Sequence, residues 1–219
     1  MYKKIVGVLA VLSMVEIAGL RVQTCSVLVN KRAPDVMCEL VSSDRVERMM
    51  LHSITSKFKV LFFYPGDFTF VCPTELLALQ RRIEDFKSRD VQVFGVSVDS
   101  VASHQRWLKT SRIQGGIEGV SFPLISDSAK TISQLYGVLD SSGVALRAVV
   151  IIDADNIVQA LMVNNLDFGR NIDEVLRIID AINFSKDSGQ MCPANWRAGD
   201  PGIKSKSTAA IARYLTAEE

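Results

Sequence analysis

Residues Val60–Tyr64 read Val-Leu-Phe-Phe-Tyr, five large side chains in a row, closed by Pro65-Gly66. A run so short and so uniformly apolar fits a strand buried on both faces, as in the interior of a parallel sheet. Val91–Val98 repeats the pattern as Val-Gln-Val-Phe-Gly-Val-Ser-Val. Between the two, Pro73 suits a first helical turn, and Leu76, Leu79, Ile83 and Phe86 recur at helical spacing. Strand, helix, strand in that order predicts a right-handed parallel crossover.

The rest of the chain extends this unit. Residues 102–111 around Trp107 predict a helix, Phe122–Ile125 a brief strand and 128–136 a short helix. Ala148–Ile152 and Ile157–Val163 are apolar runs joined by Asp153-Ala154-Asp155-Asn156, which predicts an antiparallel hairpin. Ile172–Ile182 has the pattern of an amphipathic helix. Together these predict one α/β domain over residues 28–185, with a central mixed sheet flanked by helices. Residues 186–207 are rich in Gly, Pro, Ser and Lys and predict a weakly packed arm. The arm continues to residue 219 and closes with a short helix at Thr208–Leu215.

The first 27 residues stand apart. Lys3 and Lys4 precede an apolar stretch over 5–20, the outline of an export leader. Glu16 interrupts the stretch, no Ala-x-Ala site follows, and a membrane span needs about 20 apolar residues. Residues 1–27 therefore read as a leader or an N-terminal extension. A cytoplasmic location is expected, with export as the alternative.

Charge and cysteine usage exclude several classes. Lys plus Arg number 25 against 24 Asp plus Glu, so the net charge is +1 and no basic excess marks a nucleic-acid binder. Four cysteines, at 25, 38, 72 and 192, are too few for a disulfide scaffold. None has the Cys-x-x-Cys spacing of a zinc ribbon or dithiol redox site. There is no glycine-rich phosphate cradle. Only two histidines occur, His52 and His104, and neither has the spacing of a metal ligand. A Ser-His-Asp triad has no support either. His104, beside Trp107, reads as a surface or packing residue.

Chemistry concentrates in Tyr64-Pro65-Gly66-Asp67-Phe68-Thr69-Phe70-Val71-Cys72-Pro73-Thr74-Glu75. The pattern places Cys72 after a buried strand and at the start of a helix, where the dipole and free N–H groups favour an anion. An unperturbed thiol is only about 3% ionised at pH 7. Half-ionisation requires about 2 kcal/mol, and a helix terminus contributes about 0.3–1 kcal/mol of it. A reactive thiol here would need an arginine nearby. On the residues alone, a buried structural cysteine remains an equal alternative.

The same stretch resembles the active-site loop of the typical two-cysteine peroxiredoxins, which include the peroxidase component of bacterial alkyl hydroperoxide reductases. Pro65, Thr69 and Cys72 meet the Pro-x-x-x-Thr-x-x-Cys pattern. Val96–Ser100, Phe122–Asp127, Leu146–Ala148, Gly169-Arg170 and Met191–Trp196 are similar to further family segments, so the resemblance covers about residues 28–205.

That resemblance implies a thioredoxin-like fold and a thiol-dependent peroxidase with no metal or other cofactor of its own. Cys72 would attack hydrogen peroxide or an organic hydroperoxide and become a sulfenic acid. Arg147 would favour its thiolate, Glu75 would hold the arginine, Thr69 would hydrogen-bond the sulfur and the peroxide, and Pro65 would shield the site. Cys192 of a partner chain would then form an intersubunit disulfide with Cys72. A thioredoxin-like or flavoprotein reductant would reverse it. The implied assembly is a homodimer, with a decameric ring as a further form that relatives adopt; neither a membrane nor a nucleic acid is an expected partner. Cys38 reads as a small core residue, and Cys25 lies outside the matching region.

Two features that certain eukaryotic members of the family carry are altered. A Gly-Gly-Leu-Gly segment appears here as Gly115-Gly116-Ile117-Glu118, and a C-terminal Tyr-Phe pair as Tyr214-Leu215. Their loss predicts an arm that opens easily and a Cys72 that resists sulfinic acid formation. A holdase chaperone or redox relay stays open as a second reading. A disulfide oxidoreductase on the same fold is disfavoured by the missing Cys-x-x-Cys.

Overall fold

The computed structural model describes residues 14–17, 20–23, 27–204 and 206–217. The backbones of β1 (Met14–Ile17) and β2 (Leu20–Gln23) pair antiparallel. Residues 1–13, 18–19 and 24–26 of the leader expected over 1–27, Cys25 among them, lie outside the described residues.

Seven strands form the main sheet: β3 (Met37–Val41), β4 (Val46–Met50), β5 (Phe58–Phe63), β6 (Val91–Ser97), β7 (Leu124–Ser126), β8 (Arg147–Asp153) and β9 (Val158–Asn164). Their order is β4-β3-β7-β6-β5-β8-β9. β5, β6 and β7 run parallel, and β8 pairs antiparallel with both β5 and β9. All six residues of β5 are buried, Lys59 among them with its Nζ donating to the Ile54 carbonyl at 3.2 Å. The period of two still sorts them. Phe58, Val60 and Phe62 enter one core layer with Leu76, Leu79, Phe86 and Trp107. Leu61 and Phe63 enter the other with Phe94, Tyr136 and Val150.

The crossover from β5 to β6 is not one helix, as the spacing predicts, but two: α1 (Cys72–Arg81) and α2 (Ile83–Lys87). Arg82 breaks the helical geometry, with φ −108° and ψ 11°. The break re-aims the chain so that both Ile83 and Phe86 reach the core. α3 (Val101–Lys109) follows β6, and α4 (Thr131–Leu135) lies between β7 and β8. β4 leaves little trace in the sequence, because Val-Glu-Arg-Met-Met is half polar and every residue in it is partly or fully exposed.

α5 spans Ile172–Ser188, six residues longer than its apolar pattern, and ends at Gly189 in the left-handed conformation (φ 67°). The arm beyond is mostly exposed, as its composition predicts, with Trp196 its one buried residue among those described. Met191 and Ile203 exchange two backbone hydrogen bonds of 3.0 and 2.9 Å, closing residues 191–203 into a loop. The Trp196 ring, 2% exposed, stacks on Phe184 of α5 with centroids 4.8 Å apart. One large side chain anchors the segment, which averaged composition obscures. α6 (Thr208–Ala217) closes the described chain.

Asp153 ties the end of β8 to α5. Its buried carboxylate accepts from Lys186 Nζ (2.6 Å), Gln159 Nε2 (2.7 Å) and the Ile157 amide (2.9 Å). Burial works to raise its pKa, but these donors win and hold it below the usual carboxylate value. Such a group stabilises the fold above its ordinary pKa of about 3.9 and loses that contribution as pH falls through the lowered native value. Asp153→Asn is therefore expected to cost about 2 kcal/mol at pH 7. The deficit against wild type should shrink below about pH 4 in urea titrations.

Candidate active site

The loop after β5 delivers Cys72 to the first position of α1, with Pro73 next to it. Cys72 has no exposed surface. Its sulfur lies 3.3 Å from Nη1 of Arg147, the first residue of β8. The same Nη1 donates to Glu75 Oε2 at 2.7 Å, and Arg147 Nε donates to the Leu166 carbonyl at 2.8 Å. Glu75 is one helical turn beyond Cys72, so both side chains meet the strand from one face of α1.

A second arginine completes the group. Arg170 donates to Glu75 through Nε (2.9 Å), Nη2 (3.0 Å) and its backbone amide (2.9 Å). Its Nη1 reaches the carbonyls of Phe63 and Ala148, each at 2.7 Å, and its guanidinium lies 3.3 Å over the Phe62 ring. Burial lowers its pKa, and Glu75 opposes the shift. Glu75 thus sits between two guanidiniums, with side chains 2%, 5% and 4% exposed for Glu75, Arg147 and Arg170. Residues distant in sequence meet because β5 and β8 are neighbours in the sheet.

Thr69 differs from its expected contact. Its hydroxyl donates to the Gly66 carbonyl at 2.9 Å, and among the described residues no hydrogen bond joins it to Cys72. Pro65 is half-buried at the head of the same loop. Cys192 lies on the arm, partly buried, with its thiol donating to the Ala181 carbonyl at 3.4 Å. Burial raises its pKa, and the Arg177 charge opposes this. Cys38, Cys72 and Cys192 are all free thiols. Burial first, then Asp35 and Asp127, push the Cys38 thiol up to about 12, consistent with an unreactive core residue.

Sequence reasoning missed a buried network beneath the loop. Of the surface and packing roles open to His104, the structure has the packing one: it is fully buried, its Nδ1 2.9 Å from Asp67 Oδ2 and its Nε2 3.3 Å from the Ile125 carbonyl. Tyr64 donates its hydroxyl to Asp67 Oδ1 at 2.9 Å, and the Asp67 amide donates to Asp99 at 2.9 Å. This network pins the loop from Tyr64 to Asp67. His104 stands four residues after Ser100, the helix cap, and nothing in that local pattern indicates that it faces inward.

The AhpC/TSA family model matches residues 29–161, and a model for the C-terminal domain of 1-Cys peroxiredoxin matches 181–217. The chain belongs to the AhpC/TSA family of peroxiredoxins. A chloroplastic 2-cysteine peroxiredoxin of Chattonella marina var. antiqua is 45% identical, covering 82% of this chain and 93% of that one. Peroxiredoxin-2 of Mus musculus is 42% identical over 80% of this chain and 89% of its own. Among solved structures, the reduced 2-Cys peroxiredoxin of Plasmodium vivax superposes with a TM-score of 0.83 at 44% identity, covering 86% of this chain and 98% of that chain. As a peroxiredoxin, the protein has a thioredoxin-like fold and thiol-dependent peroxidase chemistry. In the described part of this peroxiredoxin no helix is long and apolar enough to cross a membrane.

Proposed function

We propose that Cys72 is the peroxide-reacting thiol and that the two buried arginines and Glu75 make it so. The observation that carries this reading is the Arg147 Nη1–Cys72 Sγ contact of 3.3 Å. Two guanidiniums face one carboxylate in a nearly dry site, so a sulfur anion brings the group to charge balance. Position 1 of α1 adds the positive end of the helix. The thiolate sulfur attacks the distal oxygen of the peroxide and the O–O bond breaks. Cys72 is oxidised by two electrons to a sulfenic acid, and the departing oxygen takes a proton to leave as water or an alcohol. Arg147 faces the position where charge develops. Thr69, turned from Gly66, would supply a hydroxyl to the peroxide, and Pro65 would limit water.

In the second step the Cys192 sulfur of a partner chain attacks the Cys72 sulfur, an S–S bond forms, and the hydroxyl leaves as water. A dithiol reductant, thioredoxin-like or a dedicated flavoprotein, supplies the two electrons that restore both thiols. A homodimer is the smallest assembly that permits this, and a reducing compartment, the cytoplasm for preference, suits three free thiols.

Stopped-flow mixing of pre-reduced protein with hydrogen peroxide tests this reading. Wild type is expected to give a Cys72–Cys192 disulfide-linked dimer on a non-reducing gel. Cys192→Ser should consume one equivalent of peroxide and stall as a sulfenic acid that a dimedone probe captures. Full multiple turnover by Cys192→Ser with a thioredoxin-type reductant would sink the assignment of Cys192.

A further inference from the structure

The segment that carries Cys192 is held to α5 by several contacts, among them the Cys192 thiol, which donates to the Ala181 carbonyl at 3.4 Å. Trp196 stacks on Phe184, and Arg177 Nη1 donates to the Trp196 carbonyl at 2.9 Å. The guanidinium is itself fixed by Glu174, which accepts from Nε at 2.6 Å and Nη2 at 2.7 Å. Such a fork is aimed before it binds. The fit to α5 is close at Gly202, where an added Cβ would stand 2.6 Å from Phe184 Cε1 and 3.0 Å from Gln190 Cβ. Elsewhere the segment is tied mainly to itself, through the Met191–Ile203 pair, Trp196 Nε1 to the Asp200 carbonyl (3.0 Å) and the Arg197 amide to Asp200 (2.7 Å). Residues 191–203 are therefore a small closed loop docked as a unit.

We propose that Arg177 is the catch of this loop: its hydrogen bond to the Trp196 carbonyl, aimed by Glu174, sets how fast the Cys192 segment leaves α5. The inference rests on the role given to Cys192 above where it concerns catalysis, but the release itself does not. Arg177 touches neither peroxide nor Cys72, so it is a positioning residue. In the disulfide step proposed above Cys192 leaves the Ala181 carbonyl to attack a sulfur on another chain, so release competes with further oxidation of the Cys72 sulfenic acid.

Two variants of the full-length protein test the catch. Arg177→Met keeps the aliphatic stem and removes the fork. Gly202→Ala leaves Arg177 intact and crowds the docked loop against Phe184. Amide hydrogen exchange over residues 190–203 reads release directly and should quicken about tenfold in both, the loss of roughly one charge-assisted hydrogen bond in the first case. With hydrogen peroxide, the initial oxidation of Cys72 should keep its wild-type rate while disulfide formation accelerates by a similar factor. The sulfinate fraction at high peroxide, read by mass spectrometry, should fall. Arg177→Lys, with a charge but no fork, should lie between. Unchanged exchange in Arg177→Met would overturn the catch, as would faster exchange with an unchanged or slower disulfide step. Faster exchange in a protein whose wild type forms no Cys72–Cys192 disulfide would uphold the catch and overturn the assignment of Cys192 instead.

Discussion

Cys72→Ser is expected to reduce peroxide consumption to the background of the assay mixture, with the fold intact by circular dichroism. A serine hydroxyl cannot be oxidised by a peroxide, so no partial activity survives. Cys72 contributes only a small, buried side chain to the packing around Leu76 and Phe62, and serine is nearly its size. Arg147→Met should leave the thiol in place and slow its oxidation by about 10²–10³-fold, the usual loss on removing one donor aimed at developing charge. Arg147 Nη1 is the donor to the sulfur, and the Arg170 guanidinium is committed to Glu75, Phe63 and Ala148. Stopped-flow oxidation across peroxide concentrations separates the two effects. Retention of wild-type rates in Arg147→Met would remove the arginine from the mechanism.

The largest change in stability is expected at Glu75. Glu75→Ala leaves two guanidiniums buried without their carboxylate, and breaking such a pair costs about 3–5 kcal/mol. For a chain of this size that is a fall in Tm of about 6–20 °C. Glu75→Gln keeps the shape and an acceptor oxygen, so it should lose less, but the two cations still face no charge. Scanning calorimetry of both variants checks the order. Equal stability of wild type and Glu75→Ala would mean that the two cations are solvated as well without Glu75 as with it.

These effects show which parts of the molecule are legible in the residues alone. β5 and β6 are plain because strands buried on both faces are apolar at most positions, Lys59 of β5 and Gln92 and Ser97 of β6 excepted. The β8–β9 hairpin is plain because its turn is written in Asp and Asn. The cysteine motif, and Arg147 through the resemblance, point to the site. Arg170 shares the resemblance through Gly169-Arg170, but nothing local there shows that it closes on a carboxylate 95 residues earlier. The same holds for His104, whose helix looks polar on several sides, and for the anchor of the arm. There one tryptophan and a glycine without room for a methyl group decide the packing, and neither weighs much in an average. Periodicity reports which face is wet; it does not report which distant group a buried charge will meet.

The four charged or sulfur-bearing groups of the site come from α1, the first residue of β8 and the stretch just before α5. They converge only once β8 has inserted beside β5, so on the reading proposed above a chain still emerging from the ribosome, or one loosened by heat, has Cys72 without its arginine contact. Reactivity toward peroxide is then a property that switches off with the fold. A damaged molecule drops out of the chemistry instead of becoming a stray oxidisable centre.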